Sequence, residues 1–332
     1  MATLRTLLAF RWPILLWVSV ASALPARAGA QGVFDAVGSR GLGLGGAFVG
    51  VADDATAVHW NPAGLVGGGP AGVTIGWHHF QLGKFDGPAA AGGARGRSSL
   101  TSLGTWPFGF SYGTMERRLA RTDAQGVTRV TRLGVRHAGV TVLQSILDGL
   151  VVGSTVRVLR AETSENEALL ETLSEALARD PSADGERRTS IDADLGLMAS
   201  SPRMRVGLTV RNLRSMAVRA MPGSDVRLPR QARVGLSLLP ADGVTLAMDV
   251  DLNTVDLMGD LRRMSALGAE FPLGTRLLVR SGVRWNLALS SKPAGAIGAS
   301  VLVRRGLWID AHYAHGSADE ARQMSVAFRG GL

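Results

Sequence analysis

The chain has 332 residues, 46% of them hydrophobic, with 43 glycines and no cysteine, so neither disulfides nor thiolate-held metals can organise it. Its formal charge of +9 would suit a nucleic-acid partner, but the arginines are spread singly through strand-like runs instead of gathering on one helix or arm, which argues that class away. Abundant glycine, few aromatics and unbroken strand character favour one β domain over the two soluble domains that length alone would suggest.

Residues 1–30 open with Arg5 and Arg11, pass through the apolar run Trp12-Pro13-Ile14-Leu15-Leu16-Trp17-Val18 and close in small residues around Ala26-Arg27-Ala28 and Ala28-Gly29-Ala30. This is the layout of a secretory signal peptide, the apolar run being shorter than the roughly 20 residues a spanning helix needs and broken by Pro13 and Ser19. No later stretch is long and apolar enough for a spanning helix, so a membrane crossing by the rest of the chain must use strands.

Residues 31–70 form the next unit, and its distinctive stretch is Ser39 to Leu65, SRGLGLGGAFVGVADDATAVHWNPAGL. Gly41, Gly43, Gly45 and Gly46 leave no dependable strand or helix and predict a backbone seated close against something else. Asp53 and Asp54 are expected to start a short helix over Ala55 to His59, and Pro62 to stop it near Asn61, whose side chain would bond locally.

That order, a glycine- and alanine-rich run, then A-D-D-A, then N-P-A, resembles the amino-terminal hatch of the FadL/TodX family of outer-membrane barrels and its PorV/PorQ-like relatives. The resemblance implies an outer-membrane location among membrane lipids and a plug within the barrel lumen. Asp53, Asp54, Asn61, Pro62, Ala63 and Gly64 would be its gating residues. For FadL-like members it implies passive passage of hydrophobic small molecules such as fatty acids. For PorV/PorQ-like members it implies instead a scaffold that serves secretion-system proteins or surface attachment.

From residue 71 to 332 the period is two. In RMRVGLTVR, Met204, Val206, Leu208 and Val210 share one face, opposite Arg203, Arg205, Gly207, Thr209 and Arg211. Leu246, Met248, Val250 and Leu252 likewise oppose Asp249 and Asp251, and Leu277, Val279, Val283 and Trp285 oppose Arg280 and Arg284. Such runs predict about fourteen strands, at 72–80, 97–104, 106–114, 129–143, 150–163, 188–200, 203–213, 230–239, 244–254, 263–271, 276–287, 295–304, 307–315 and 322–330. Connections alternate between tight turns and longer stretches at 82–96, 115–128, 164–187 and 214–229, with an amphipathic helix expected over 165–179. The fold expected is all-β: a transmembrane antiparallel barrel of about fourteen strands with an N-terminal lumen hatch.

An apolar interior in so wide a barrel would be an unfillable void, so the charged face must point inward. Turning 203–211 over would set three arginines against lipid at about 2–4 kcal/mol each, roughly 6–12 in total. The lumen charges are then Arg157, Asp192, Asp194, Arg205, Arg211, Arg233, Asp249, Asp251, Arg280 and Arg284, expected to pair with one another. Trp77, Trp106, Tyr112, Trp285, Trp308 and Tyr313 are expected at strand ends, at headgroup level.

Chemistry is not in view. His78, His79, His312 and His315 lack carboxylates at ligand spacing, so they read as solvated side chains and no metal is expected. Asp53 and Asp54 read as caps rather than an acid–base pair, G-x-S-x-G is absent, and Gly41 to Gly46 lacks the strand and lysine of a phosphate loop. The expectation is a protein without catalytic activity or cofactor.

Overall fold

The computed structural model describes residues 37–87, 90–122, 127–168, 186–221, 224–257, 260–288, 293–316 and 322–332. The expected signal peptide, 1–30, lies outside them, as does 169–179 of the expected loop helix.

Fourteen antiparallel strands close on themselves. In chain order the first five are β1 (Ala71–Gly87), β2 (Ala90–Thr105), β3 (Phe108–Thr122), β4 (Thr128–Leu147) and β5 (Leu150–Ala168). They are followed by β6 (Arg187–Ser200), β7 (Met204–Arg211), β10 (Gln231–Ala241), β11 (Val244–Asp251) and β14 (Met264–Leu273). The wall ends with β15 (Leu277–Asn286), β16 (Ala294–Arg304), β17 (Leu307–Gly316) and β18 (Arg322–Gly331), and β18 pairs back onto β1. Two small hairpins, β8 (Ala217–Met221) with β9 (Ser224–Arg227) and β12 (Val255–Leu257) with β13 (Asp260–Arg262), sit in the longer connections.

Every wall strand expected from periodicity is present, but the first five run longer than expected. The β1–β2 ladder continues through Gly87 and Ala90, and β3–β4 through Thr122 and Thr128, so 82–96 and 115–128 are mostly paired strand rather than loop. Glu165 to Ala168 also belong to a strand, opposite Thr128 to Thr131, and not to a helix. In these extensions the two faces do not separate into oily and polar, since Arg117, Arg118, Leu119 and Ala120 of β3 are all buried, and the period-two signal reports only half-buried strands.

Tight turns at 106–107, 148–149, 242–243 and 305–306 lie at the end that also holds both ends of the wall, where Leu332 N–H donates to Ala71 O at 3.0 Å. The long connections lie at the opposite end. The outward face carries a belt of exposed apolar side chains, among them Ile75, Phe110, Val156, Leu208, Ile297 and Val326. The alternate positions of the same strands are buried and largely polar or charged.

Two expectations about side chains need correction. Trp308 shares the inward face of β17 with Asp310 and His312, and Arg329 lies over its ring at 5.4 Å, so it does not face outward. Trp77 and Tyr112 do face outward, each 53% exposed, but lie well inside their long strands. His78 and His312 are buried in the lumen with ring centroids 5.8 Å apart, whereas His79 and His315 point outward. Alternation divides neighbours such as His78 and His79 between two faces, so only half of these histidines are solvated.

Candidate functional site

Residues 37–68 lie inside the barrel. The backbone makes two short helices, α1 (Ser39–Gly43) and α2 (Ala57–Trp60), and a 3-10 turn over Pro62–Gly67. Leu42, Leu44, Ala47, Phe48, Ala52 and Ala63 are each 0% exposed. Phe48 meets Trp60 edge-on at 5.8 Å between ring centroids, giving the segment its own small core.

Of the four glycines expected to sit close to something, Gly43 and Gly45 do so against glycines of the wall, Gly41 lies against Trp60 and Phe48 of its own segment, and a Cβ on Gly46 would meet nothing within 4 Å. Gly45, at φ 71, rests on the backbone of Gly282 and Val283 in β15, so close that a Cβ on it would come within 2.9 Å of Val283 N. A Cβ on Gly50 would come equally close to the Gly235 carbonyl carbon in β10. Opposed glycines of this kind let two backbones touch, which neither strand nor segment could do with side chains between them.

Arg40 is the centre of the polar attachment. Its guanidinium takes Glu270 of β14 bidentately, at 2.8 and 3.0 Å, ion-pairs with Asp53, and reaches Asp54 at 3.4 Å. Asp53 also accepts from Arg205 of β7 at 3.0 Å. Burial would push the Asp53 carboxyl up, but Arg40 and then Arg205 outweigh it and hold it below the usual carboxylate range. Asp53 is therefore an ion-pair partner and not a helix cap. Asp54 accepts the Thr56 N–H at 2.9 Å, and α2 has no side-chain cap and no acid in its first turn.

Asn61 is 0% exposed and fully used. It accepts from Ala63 N–H at 3.2 Å and donates to Val49 O and Leu197 O at 3.0 and 3.1 Å, tying the 3-10 turn to both the segment and β6. Pro62 opens that turn, and Pro62 and Ala63 press on Gly153 of β5 and Gly196 of β6. Gly64 packs against Ala52, where a Cβ would collide with its carbonyl.

All ten expected lumen charges lie on the inward face, in two roles. Asp249 accepts both Phe48 and Val49 N–H at 2.9 Å, Arg205 bonds Val51 O at 3.2 Å, and Arg211 lies 3.0 Å from a ring nitrogen of His59, so these three hold the segment. Arg280 ion-pairs with Glu270, which links it to Arg40. The others brace the wall: Arg157 with Asp194 at 2.6 Å, Arg233 with Asp251 at 2.7 Å, Arg284 with Gln323 at 2.9 Å, and Asp192 with Arg214 N–H at 2.9 Å. Sequence reasoning missed Arg40 as the anchor and Ser39, which accepts from Ser325 at 2.8 Å. A lone arginine in a glycine-rich apolar run was the available signal for the first.

Below the segment, at the turn end, is a recess of about 150 Å³ bordered by Asp53, Trp106, Trp308 and Arg329. Towards the loop end, Leu133 and Val135 of β4 and Leu159 and Ala161 of β5 form an inward apolar cluster with Met216 and Leu228, which flank the β8–β9 hairpin. Leu228 N–H donates to Met216 O at 2.8 Å and closes the hairpin's base, and the packing of these two side chains on the β4 and β5 residues sets that base against the inner wall.

This architecture recurs in solved structures. The toluene transporter TbuX of Ralstonia pickettii aligns at a TM-score of 0.65 and 15% identity, over 90% of this chain and 99% of its own. The CymD monoaromatic hydrocarbon channel aligns at 0.62 and 16%, over 91% and 99%, and a Pseudomonas aeruginosa FadL homologue at 0.57 and 12%, over 92% and 97%. The fold is that of the FadL/TodX-type outer-membrane channels. Residues 116–251 match the family model described as F plasmid transfer operon, TraF, protein. No curated protein matches the chain.

Proposed function

We propose that the chain is an outer-membrane barrel that passes hydrophobic small molecules without chemistry, gated by movement of the lumen segment 31–70 once the signal peptide 1–30 is removed. Supporting the membrane setting is the apolar belt around the barrel, far more than the few hundred Å² a soluble monomer tolerates in one patch. Shared fold with hydrocarbon channels points the same way. The observation that carries the choice of solute is the apolar cluster on the inner wall at the loop end, which Met216 and Leu228 cover and which an oily molecule would occupy in their place when the β8–β9 hairpin lifts. In this setting the turn end is periplasmic and the loop end external.

Asn61 is the proposed latch. Asn61→Ala removes both bonds of its amide NH₂ group and should raise uptake of a monoaromatic hydrocarbon or long-chain fatty acid several-fold in liposomes. The barrel should keep its heat-modifiable migration. Unchanged uptake in both Asn61→Ala and Pro62→Ala would remove the gate from this segment.

A second reading, an envelope scaffold for protein secretion or surface attachment, is favoured by the tightness of the glycine seats and by the match of 116–251 to a plasmid-transfer protein family. Stable cross-linked protein partners with no solute permeability would decide for it.

A further inference from the structure

Across β3 to β6 the outward face changes character within one row of residues. Tyr112, Ala138, Val158 and Ile191 lie side by side as the last apolar row. The next row on that face is Thr114, Arg136, Arg160 and Thr189. Arg136 and Arg160 are directly opposed and exposed, and among the described residues neither has a carboxylate in reach. One row further, Arg97 and Arg187 stand 65% and 62% exposed beside Glu116 and Glu162. Glu116 is already shared by Arg97, Arg118 and Arg132 at 3.0, 2.9 and 3.4 Å, so it offers nothing to the bare pair.

Like charges directly opposed on a sheet destabilise it. Nothing in the wall requires them, since the inward face already carries the charges that hold the segment. Their height supplies a reason. On β4 the outward positions from Ile146 to Ala138 are apolar apart from Gln144. Eight residues at ~3.4 Å each, tilted by roughly 40°, rise about 20 Å, close to the ~25 Å apolar band of such barrels. Arg136 and Arg160 therefore begin where hydrocarbon ends, on the side away from the chain termini.

We propose that Arg136 and Arg160, flanked by Arg97 and Arg187, bind phosphate groups of a lipid headgroup in the external leaflet. Guanidinium forks take phosphate oxygens bidentately, and opposed Cβ atoms about 5 Å apart allow two forks to converge on one headgroup. The apolar row beneath them would receive the acyl chains. This inference rests on the membrane setting proposed above but not on the gate.

The test uses the full barrel in detergent, offered a doubly phosphorylated acylated disaccharide lipid or its dephosphorylated counterpart, with retained lipid counted by native mass spectrometry. Each basic residue near an anionic lipid surface contributes roughly fivefold, so Arg136→Gln/Arg160→Gln should retain the phosphorylated lipid about 25-fold more weakly. The dephosphorylated lipid should be held weakly by both proteins, and Arg276→Gln, in a turn at the opposite end, should change nothing. Equal retention by the double variant, equal retention of the dephosphorylated lipid, or a changed oligomeric state with lipid unaffected would overturn the assignment, the last giving the surface to a second copy. A chain that needs no detergent would defeat the membrane setting itself, whereas a detergent-bound barrel with unaltered lipid retention defeats only the headgroup site.

Discussion

Arg40 reaches two carboxylates on its own segment and one on the wall, and Asp53 in turn reaches a wall arginine, so these side chains form one buried ionic chain from β14 through the segment to β7. Removing one member would leave another charge buried and uncompensated, which costs more than the pair contributes. The chain also has a pH sense. Arg40 holds the Asp53 carboxyl below its ordinary value, so its contribution is complete above the unfolded carboxylate range near ~4 and disappears as pH falls through the lower folded value. Limited proteolysis of residues 37–68 in the intact barrel should therefore accelerate between pH 5 and about 3. In Asp53→Asn the segment should be cleaved faster at pH 7 and lose most of that acid step. An acid step of full size in Asp53→Asn would assign it elsewhere. Asn61 stands out in the sequence because N-P-A is a recognisable turn, and its local bond to Ala63 is legible there. Arg40 does not, because its partners lie 13 and 230 positions away and no local pattern encodes them.

At the scale of elements, the segment fits because glycines of the wall lie where its backbone passes. A Cβ on Gly282 would land on the Leu44–Gly45 peptide, while one on Gly295, in the adjacent strand, would meet nothing within 4 Å. Gly282→Ala should leave the barrel assembled yet displace the segment, seen as faster cleavage of 37–68 and higher solute leak. Gly295→Ala should do neither, and equal behaviour of the two would mean the seat is not what holds the segment. The wall strands are legible in the sequence where one face is oily and the other charged, since a one-residue slip would expose every charge. The upper reaches of β1 to β5 are not, because no such contrast exists there. A glycine inside a strand signals close approach of another backbone, and the strand runs carry that signal at Gly196, Gly207, Gly235, Gly268 and Gly282. Which backbone approaches is not written locally, since that depends on registers around the whole ring.

Taken as a whole, the molecule is a cylinder with apolar side chains outside, ion pairs within, and a segment touching strands on several sides of the lumen. The polarity of the two faces is derivable from a magnitude: arginines facing hydrocarbon cost several kcal/mol, and nothing in those strands offsets that. The proposed gate makes passage of a solute a property of the segment's freedom to move. The chain contains no cysteine, so one engineered pair can be read without background. Gly43 of α1 lies against Gly298 of β16, a Cβ on the first falling 3.3 Å from the second's Cα, so cysteines at the two positions would meet once the backbones give by a few tenths of an ångström. Uptake of a monoaromatic hydrocarbon should be measured in liposomes holding Gly43→Cys/Gly298→Cys, first oxidised and then reduced. Uptake that stops under oxidation and returns on reduction is the predicted result; uptake equal in the two states would contradict gating by this segment.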